Sequence, residues 1–327
     1  MRSFLMKSAA VLGFICVLPA IAAAQTSTQA WPQRQIKAIV PFPAGGGTDL
    51  MGRLVAKHLS DKLGQQVFVE NIGGANGSIG VQAVMRADPD GYTIGVLSDG
   101  PMIVNPALYP NNPYQTLRDF IPVAMVNRFP SLLTAHPSTG IKSVADLIRV
   151  AKEKPGTLNY SSGGIGNFSH MGLELLANQT GIKIVHVPYR GIGPATQAIL
   201  TGEVQLLYNN VTTSLEHVKA GKSNALAIGE SKRLPGLPEI ATIAETVPGY
   251  DFSAWIGIYV PAKTPAAIVD KLSKAVSDFL EEPSVKKYFA DQFITASYKK
   301  PDEFPAYIKA ELTKWDDVVK KAGIKVQ

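Results

Sequence analysis

The chain contains one cysteine, Cys16, and this scarcity limits how the folded protein can be stabilised. Cys16 lies in an N-terminal stretch that we expect to be removed on export, so the mature chain has no disulfide and no thiol nucleophile. Ile15 occupies the position where lipid attachment requires a small residue, which argues against a lipoprotein. The fold must therefore rest on its hydrophobic core, and roughly three hundred residues usually divide into two lobes.

Motifs of metal binding and nucleophilic catalysis are also missing. Neither a His-Glu-x-x-His sequence nor another metal-ligand spacing occurs, and no Gly-x-Ser-x-Gly elbow is present. We therefore predict no catalytic residues, no metal site and no cofactor. The best candidate for ligand contact among the histidines is His170, which is placed on a helix after a glycine-rich loop.

Charge is sparse and evenly spread. Charged residues make up 18% of the chain, and 32 Lys and Arg against 26 Asp and Glu give a net charge of +6. No cluster of basic residues interrupts that distribution, so we expect no nucleic-acid partner. The absence of strongly biased tracts argues against disorder.

The N-terminus has the layout of a secretory signal peptide. Arg2 and Lys7 precede an apolar stretch from Ala9 to Ile21, and the small residues 22–24 follow it. That stretch is too short for a stable membrane anchor. We expect cleavage near Ala24, a periplasmic location and a monomer.

The remaining chain predicts an α/β fold, because short apolar runs alternate with segments of helical spacing. This alternation implies parallel sheets covered on both faces. Two extended segments at residues 120–136 and a further one at residues 253–260 could carry the chain between lobes. We predict that lobe I comprises residues 31–128 and 255–327, and lobe II residues 129–254, with a hinged cleft between them.

The most informative segment is Pro41-Phe42-Pro43-Ala44-Gly45-Gly46-Gly47-Thr48-Asp49, between a predicted strand and a long helix. Glycines allow backbone N–H groups to face one point, and the helix N-terminus adds partial positive charge, so the segment can bind an anion. Leu50 replaces the last glycine of a dinucleotide fingerprint, and a P-loop would need a Lys that is absent. A tight turn with no ligand is the alternative interpretation.

Similar signals recur further along the chain. Ser161-Ser162-Gly163-Gly164-Ile165-Gly166-Asn167 again separates a predicted strand from a helix, although Asn167 could simply cap that helix. Tyr189 to Pro194 predicts another open N-terminus, with Pro194 as the first helical residue. Tyr208-Asn209-Asn210 ends a strand, where α/β sheets place their ligands.

Six ordered segments resemble the Bordetella uptake gene (Bug) family, the periplasmic receptors of tripartite tricarboxylate transporters. They are Pro41–Asp49, Val69-Glu70-Asn71, Pro89-Asp90-Gly91-Tyr92-Thr93, Asn105-Pro106-Ala107-Leu108-Tyr109, Leu158-Asn159-Tyr160-Ser161-Ser162-Gly163 and Val185-His186-Val187-Pro188-Tyr189. The resemblance covers essentially the whole mature chain. It implies a two-lobed, periplasmic-binding-protein-like (type II) fold, and membrane permease subunits as partners.

The resemblance also implies the ligand class: a di- or tricarboxylate, an acidic amino acid or an aromatic acid, captured for transport without turnover. Two departures from the family pattern are Asn209, where Asp is frequent, and Phe168, where a small polar residue is common. The alternative function is a secreted hydrolase or isomerase that uses the glycine loops as an oxyanion site. The predicted ligand-binding residues are Phe42, Ala44, Gly45, Gly46, Gly47, Thr48, Asp49, Ser98, Ser161, Ser162, Gly163, Asn167, Phe168, His170, Tyr189, Gly193 and Asn209.

Overall fold

The computed structural model describes residues 31–324, and the chain from Pro32 onward forms one compact α/β unit. The predicted signal peptide and its cleavage near Ala24 lie outside the described residues. The strands are β1 Ile36–Val40, β2 Val67–Asn71, β3 Thr93–Ser98, β4 Phe120–Phe129, β5 Ser131–Ala135, β6 Asn159–Ser162, β7 Val185–Pro188, β8 Leu206–Asn210, β9 Asn224–Ile228, β10 Ala254–Pro261 and β11 Thr295–Lys299.

Helices follow most of these strands and cover the sheets. They are α1 Gly47–Leu63, α2 Ser78–Met85, α3 Asn105–Leu108, α4 Thr116–Asp119, α5 Val144–Glu153, α6 Phe168–Thr180, α7 Ile192–Leu200, α8 Val211–Lys219, α9 Ala266–Glu281, α10 Pro283–Asp291 and α11 Phe304–Ala322. None of the helices in this part of the chain is long and apolar enough to cross a membrane.

The strands form two mixed sheets. The six-stranded sheet has the order β11-β4-β10-β3-β1-β2, and the five-stranded sheet has the order β7-β6-β8-β5-β9. β1 pairs in parallel with β2 and β3, as β6 does with β7 and β8. β10 and β5, however, run antiparallel to both of their neighbours. The prediction of parallel sheets is therefore correct only for the strand–helix–strand units, because the crossing strands enter each sheet in the opposite direction.

The chain passes between the sheets twice. Pro130 alone separates β4 in the first sheet from β5 in the second, and the segment between β9 and β10 returns the chain. The first sheet thus combines strands from residues 36–129 and 254–299, and the second takes strands from residues 131–228. The lobe boundaries at residues 128, 129, 254 and 255 stay a prediction.

A charged cluster joins the two crossings. Arg128 donates from both terminal guanidinium nitrogens to the Asp251 carboxylate, at 2.6 and 3.1 Å. Its Nε donates to Ser253 Oγ at 2.7 Å and lies 3.3 Å from Glu230 Oε1. The Arg128 side chain is only 16% exposed, so these partners compensate for the removal of its charge from water.

Helix α1 is packed closely on β1, which places its N-terminus at the end of that strand. Met51, Val55 and Leu59, spaced four residues apart, form its buried face. Gly52 permits the close approach, because a Cβ there would lie 2.8 Å from Val40 Cγ2. Leu50, in contrast, is 48% exposed.

One local prediction was wrong. Helix α7 begins at Ile192 rather than Pro194, with Gly191 as its N-cap. Pro194 is tolerated because the first turn of a helix does not need its N–H. Two further elements complete the fold: the edge strand β11, which pairs with β4, and a helical segment at residues 100–108 after β3.

Candidate functional site

A cavity of about 580 Å³ lies among loops from both sheets, within the size range of small-molecule binding sites. Four aromatic side chains contribute to its wall, and glycine-containing turns contribute backbone. Its lining residues are Phe42, Pro43, Ala44, Gly46, Gly47, Thr48, Asn76, Ser98, Asp99, Gly100, Val104, Phe129, Gly166, Asn167, Phe168, Gly191, Ile192, Asn210, Ala254, Trp255 and Ile256.

The first glycine-rich loop places the N-terminus of α1 at this cavity. Gly46 is the N-cap, with an extended backbone and no side chain to accept a hydrogen bond from the first turn. The first N–H groups of a helix have no partner within the helix. Gly46, Gly47 and Thr48 all line the cavity, so these amides can bind an anion there.

Asp49 holds that loop in shape and does not line the cavity. Its Oδ2 accepts hydrogen bonds from the Gly45 N–H at 2.9 Å and from Arg53 Nε at 3.0 Å. Its Oδ1 accepts from Asn71 Nδ2 at 2.9 Å, and the same nitrogen donates to the Phe42 carbonyl. Burial opposes ionisation, but these hydrogen bonds outweigh it and lower the pKa of Asp49.

The second loop contributes Gly166, Asn167 and Phe168 to the wall. Asn167 caps α6, since its Oδ1 accepts from the Ser169 N–H at 2.9 Å. Gly166 has φ of 77°, and a Cβ there would lie 2.5 Å from Leu108 Cδ1, a side chain that follows β3 of the first sheet. The second loop therefore packs closely against Leu108, which belongs to the half of the molecule that contains the first sheet.

A third open helix N-terminus belongs to α7. Its N-cap, Gly191, has φ of 107° and provides no side-chain cap. The Gly191 N–H donates to the Tyr189 carbonyl at 3.0 Å and to the Gly163 carbonyl at 3.3 Å, which joins this turn to the second loop. Gly191 and Ile192 line the cavity, so α1 and α7 both present uncapped amides to it.

Three stacked aromatic rings lie next to the second loop, and two of them form hydrogen bonds with it. The rings of His170 and His186 are parallel within 16°, with centroids 3.9 Å apart, and Tyr160 stacks on both. His170 Nδ1 accepts from the Gly166 N–H at 3.1 Å, and His186 Nε2 lies 2.6 Å from Ser162 Oγ. Burial lowers the pKa of His170 to about 3 and that of His186 to about 4, so both rings are neutral at pH 7.

The structure brings eight of the predicted ligand-binding residues together at the cavity. They are Phe42, Ala44, Gly46, Gly47, Thr48, Ser98, Asn167 and Phe168. The other predicted residues lie outside its lining, behind the loops or on the surface. They are Gly45, Asp49, Ser161, Ser162, Gly163, His170, Tyr189, Gly193 and Asn209.

Several of those side chains are occupied by internal hydrogen bonds. Ser161 Oγ donates to the Ala195 carbonyl at 2.8 Å, and Tyr189 OH donates to Glu203 Oε1 at 2.6 Å. Asn209 is buried, and its Oδ1 accepts from the Asn210 N–H at 2.8 Å. Ligand contact by these three side chains would require those bonds to be broken.

Sequence reasoning missed lining residues that lie on other parts of the chain. Asn210 lines the cavity in place of its neighbour Asn209, because successive strand residues face opposite sides. Phe129 and Trp255 come from the two crossings, and Asn76 comes from the Gly- and Asn-rich segment between β2 and α2. The position of a crossing beside a cleft could have indicated the first two. Asp99 had no distinguishing sequence pattern.

Comparisons with known proteins agree with this geometry. The profile described as "Tripartite tricarboxylate transporter family receptor" (TctC) matches residues 51–324. The Bordetella pertussis protein BugT is 36% identical over 97% of this chain and 98% of its own. An R. palustris protein solved with adipate is 35% identical, covers 90% of this chain and 99% of its own, and superposes with a TM-score of 0.78.

A further structure similar to this chain is MatC from Rhodopseudomonas palustris with bound malate. It is 32% identical over 88% of this chain and 99% of its own, with a TM-score of 0.75. Such neighbours are two-lobed α/β solute-binding proteins, which confirms the predicted fold class. Family and neighbours are solute-binding receptors rather than enzymes, and nothing in these comparisons supports the hydrolase or isomerase alternative.

Proposed function

This chain belongs to the family of tripartite tricarboxylate transporter receptors, and we propose that it captures a small organic carboxylate in the cavity between its two sheets. The receptors of this family are periplasmic solute-binding proteins. Our proposal concerns the chemical class of the ligand and the residues that bind it.

One observation carries the proposal: two helices start at glycines that have no side-chain cap, and both starts line one cavity. Gly46 precedes α1 beside the first sheet, and Gly191 precedes α7 beside the second. Each N-terminus carries roughly half a positive charge and unpaired N–H donors. A carboxylate placed between them would satisfy donors from both halves of the molecule, so its binding would favour closure of one half on the other.

The rest of the wall favours a ligand with an apolar body. The aromatic rings of Phe42, Phe129, Phe168 and Trp255 line the cavity, and burying apolar surface against them contributes about 25 cal/mol per Å². The relatives with adipate and malate hold acids of four to six carbons, and a cavity of about 580 Å³ accommodates acids of that size or larger. We also propose that the predicted residues that line the cavity contact the ligand.

A thermal-shift screen of the mature protein tests the proposal. The panel comprises aliphatic, hydroxylated, amino and aromatic carboxylic acids, with the primary amide of each acid as its matched neutral control. A true ligand at about 100 times its dissociation constant adds roughly 2.7 kcal/mol of stability. We expect at least one acid to stabilise the protein while its amide does not, and to be recovered unchanged by NMR. Stabilisation by no acid, or conversion of an acid to a product, would refute the receptor assignment.

We further propose that the protein is exported to the periplasm and delivers its ligand to the permease subunits of a tripartite tricarboxylate transporter. The family match and the sequence of residues 1–24 support this proposal. The N-terminal sequence of the protein recovered from the periplasm should begin at or near Gln25. A mature protein that retains Arg2 would contradict the export step. The monomeric state stays a prediction.

A further inference from the structure

The cavity has one ionisable side chain in its wall, and that side chain is acidic. Among the lining residues of the described chain, Asp99 is the only Asp, Glu, His, Lys or Arg. Arg190, which precedes the N-cap of α7, is exposed and does not line the cavity. A negatively charged ligand therefore meets helix N-termini at the glycine turns and a carboxyl group elsewhere on the wall.

Asp99 is held in place by the structure around it. It directly follows β3, is 4% exposed, and accepts a hydrogen bond through Oδ1 from the Trp255 backbone N–H at 3.3 Å. Trp255 lies on β10 and also lines the cavity, and its indole Nε1 has no hydrogen-bond partner among residues 31–324. Asp99 is thus buried, and its carboxyl group interacts with backbone N–H groups, those of Trp255, Asp99 itself and Gly100.

The titratable groups that act on Asp99 do not neutralise it. Glu311 on α11 is a second carboxylate, and its own cationic partner is Lys314 at 2.6 Å. Tyr259 on β10 and Tyr307 on α11 also interact with Asp99, and burial raises the pKa of both phenols. Burial, with a contribution from Glu311, raises the pKa of Asp99 to about 7. At higher pH the carboxylate is ionised without a cation beside it.

Resting on the proposed function, we infer that Asp99 determines ligand specificity through the second polar group of the ligand. The favoured ligand carries one carboxylate and, at its other end, a hydrogen-bond donor such as a hydroxyl or an ammonium. A second ionised carboxylate in that position would face Asp99 with no intervening cation. Dicarboxylates should therefore bind worse than their donor-bearing analogues, in contrast to the neighbours solved with adipate and malate.

The size of the effect follows from electrostatics. Two like charges about 6 Å apart at an effective dielectric constant of about 20 repel strongly enough to reduce affinity about 100-fold. Because dicarboxylate binding requires a protonated Asp99, its affinity should fall up to about tenfold per pH unit above pH 7. A hydroxyl or an ammonium at that position avoids this repulsion.

The test uses three series in which only the distal group changes. They are butyrate, ω-hydroxybutyrate, ω-aminobutyrate and succinate; hexanoate, ω-hydroxyhexanoate, ω-aminohexanoate and adipate; and benzoate, meta-hydroxybenzoate, meta-(aminomethyl)benzoate and isophthalate. Calorimetric affinities are measured at pH 6, 7 and 8 for the mature wild type and for Asp99→Asn. Asparagine keeps the shape and the acceptor for the Trp255 N–H. We expect the variant to gain at least about tenfold affinity for the dicarboxylate at pH 8 and to lose its pH dependence.

Glu311→Gln is the matched control, because it removes a carboxylate that interacts with Asp99 but does not line the cavity. It should keep the preference for donor-bearing acids. If wild type and Asp99→Asn bind the dicarboxylates equally at pH 8, the inference about Asp99 is overturned while carboxylate binding stands. If neither protein binds any acid of the three series, the inference is overturned together with the proposed function.

Discussion

Replacing Gly46 with leucine should abolish ligand binding and leave the fold nearly unchanged. Gly46 has an ordinary extended backbone, with φ of −79° and ψ of 166°, which any residue can adopt. A Cβ built there meets only the Pro43 carbonyl oxygen, at 3.9 Å. Gly46 also lines the cavity at the uncapped start of α1. A leucine side chain can therefore be accommodated by the protein, but it occupies the space beside the amides that the carboxylate needs.

The expected loss of binding free energy is much larger than the expected change in the free energy of unfolding. Each hydrogen bond to a charged group contributes about 1.5–3 kcal/mol, so losing two from the first turn of α1 costs about 3–6 kcal/mol of binding. That loss lowers affinity by about 100-fold or more. An apolar N-cap destabilises the helix by about 0.5–1 kcal/mol. Replacing glycine also lowers the conformational entropy of the unfolded chain, which stabilises the folded protein by a similar amount. The free energy of unfolding should therefore change by less than about 1 kcal/mol.

Isothermal titration calorimetry with the tightest acid of the screen, together with urea unfolding, measures both quantities. Ala266→Leu is the matched control, because Ala266 also lies in the first turn of a helix and is exposed. Ala266 lies outside the cavity lining, so this variant should bind like wild type. Unchanged affinity in Gly46→Leu, or an equal loss in both variants, would refute the assignment of the α1 N-terminus as the anion site.

Three further perturbations test the scaffold around the cavity. Gly166→Ala places a methyl group against Leu108 at a positive φ, so urea unfolding should show a loss of about 1–3 kcal/mol and calorimetry weaker binding; wild-type values in both would contradict the contact. His170 and His186 have pKa values lowered by burial, so the unfolded state takes up more protons than the folded state below about pH 6.5. Stability should thus be complete above that pH and decline towards pH 4, by at most about 1.4 kcal/mol per pH unit for each ring. A double His→Asn variant should flatten this dependence, and an unchanged slope would exclude the histidines as its cause. Arg128→Met leaves the buried Glu230 carboxylate and the partly exposed Asp251 carboxylate without their cation and should lower the free energy of unfolding by about 3 kcal/mol; a change below about 1 kcal/mol would show that these ion pairs contribute little to stability.

The predicted helices and strands agree with the structure where local interactions determine the residue at which an element begins or ends. Ser143 is the N-cap of α5, and its hydroxyl accepts a hydrogen bond from the Asp146 N–H at 3.0 Å. Asn167 begins α6 and Gly64 ends α1 for similar local reasons. Pairing between distant strands was less predictable. β11 and the antiparallel direction of β10 depend on partners more than a hundred residues away along the chain, which no local pattern encodes.

The amino-acid sequence by itself determined the α/β class, the family and the turns that bear the anion site. It could do so because glycine spacing and apolar periodicity act within a few residues. The tertiary structure alone decided which side chains face the cavity. It turned Asn210 inward in place of Asn209, used Asp49 to shape a loop, and brought Asp99 and Trp255 into one wall. Those outcomes depend on strand register and on the packing of segments remote in the chain, which are settled only when the whole molecule folds.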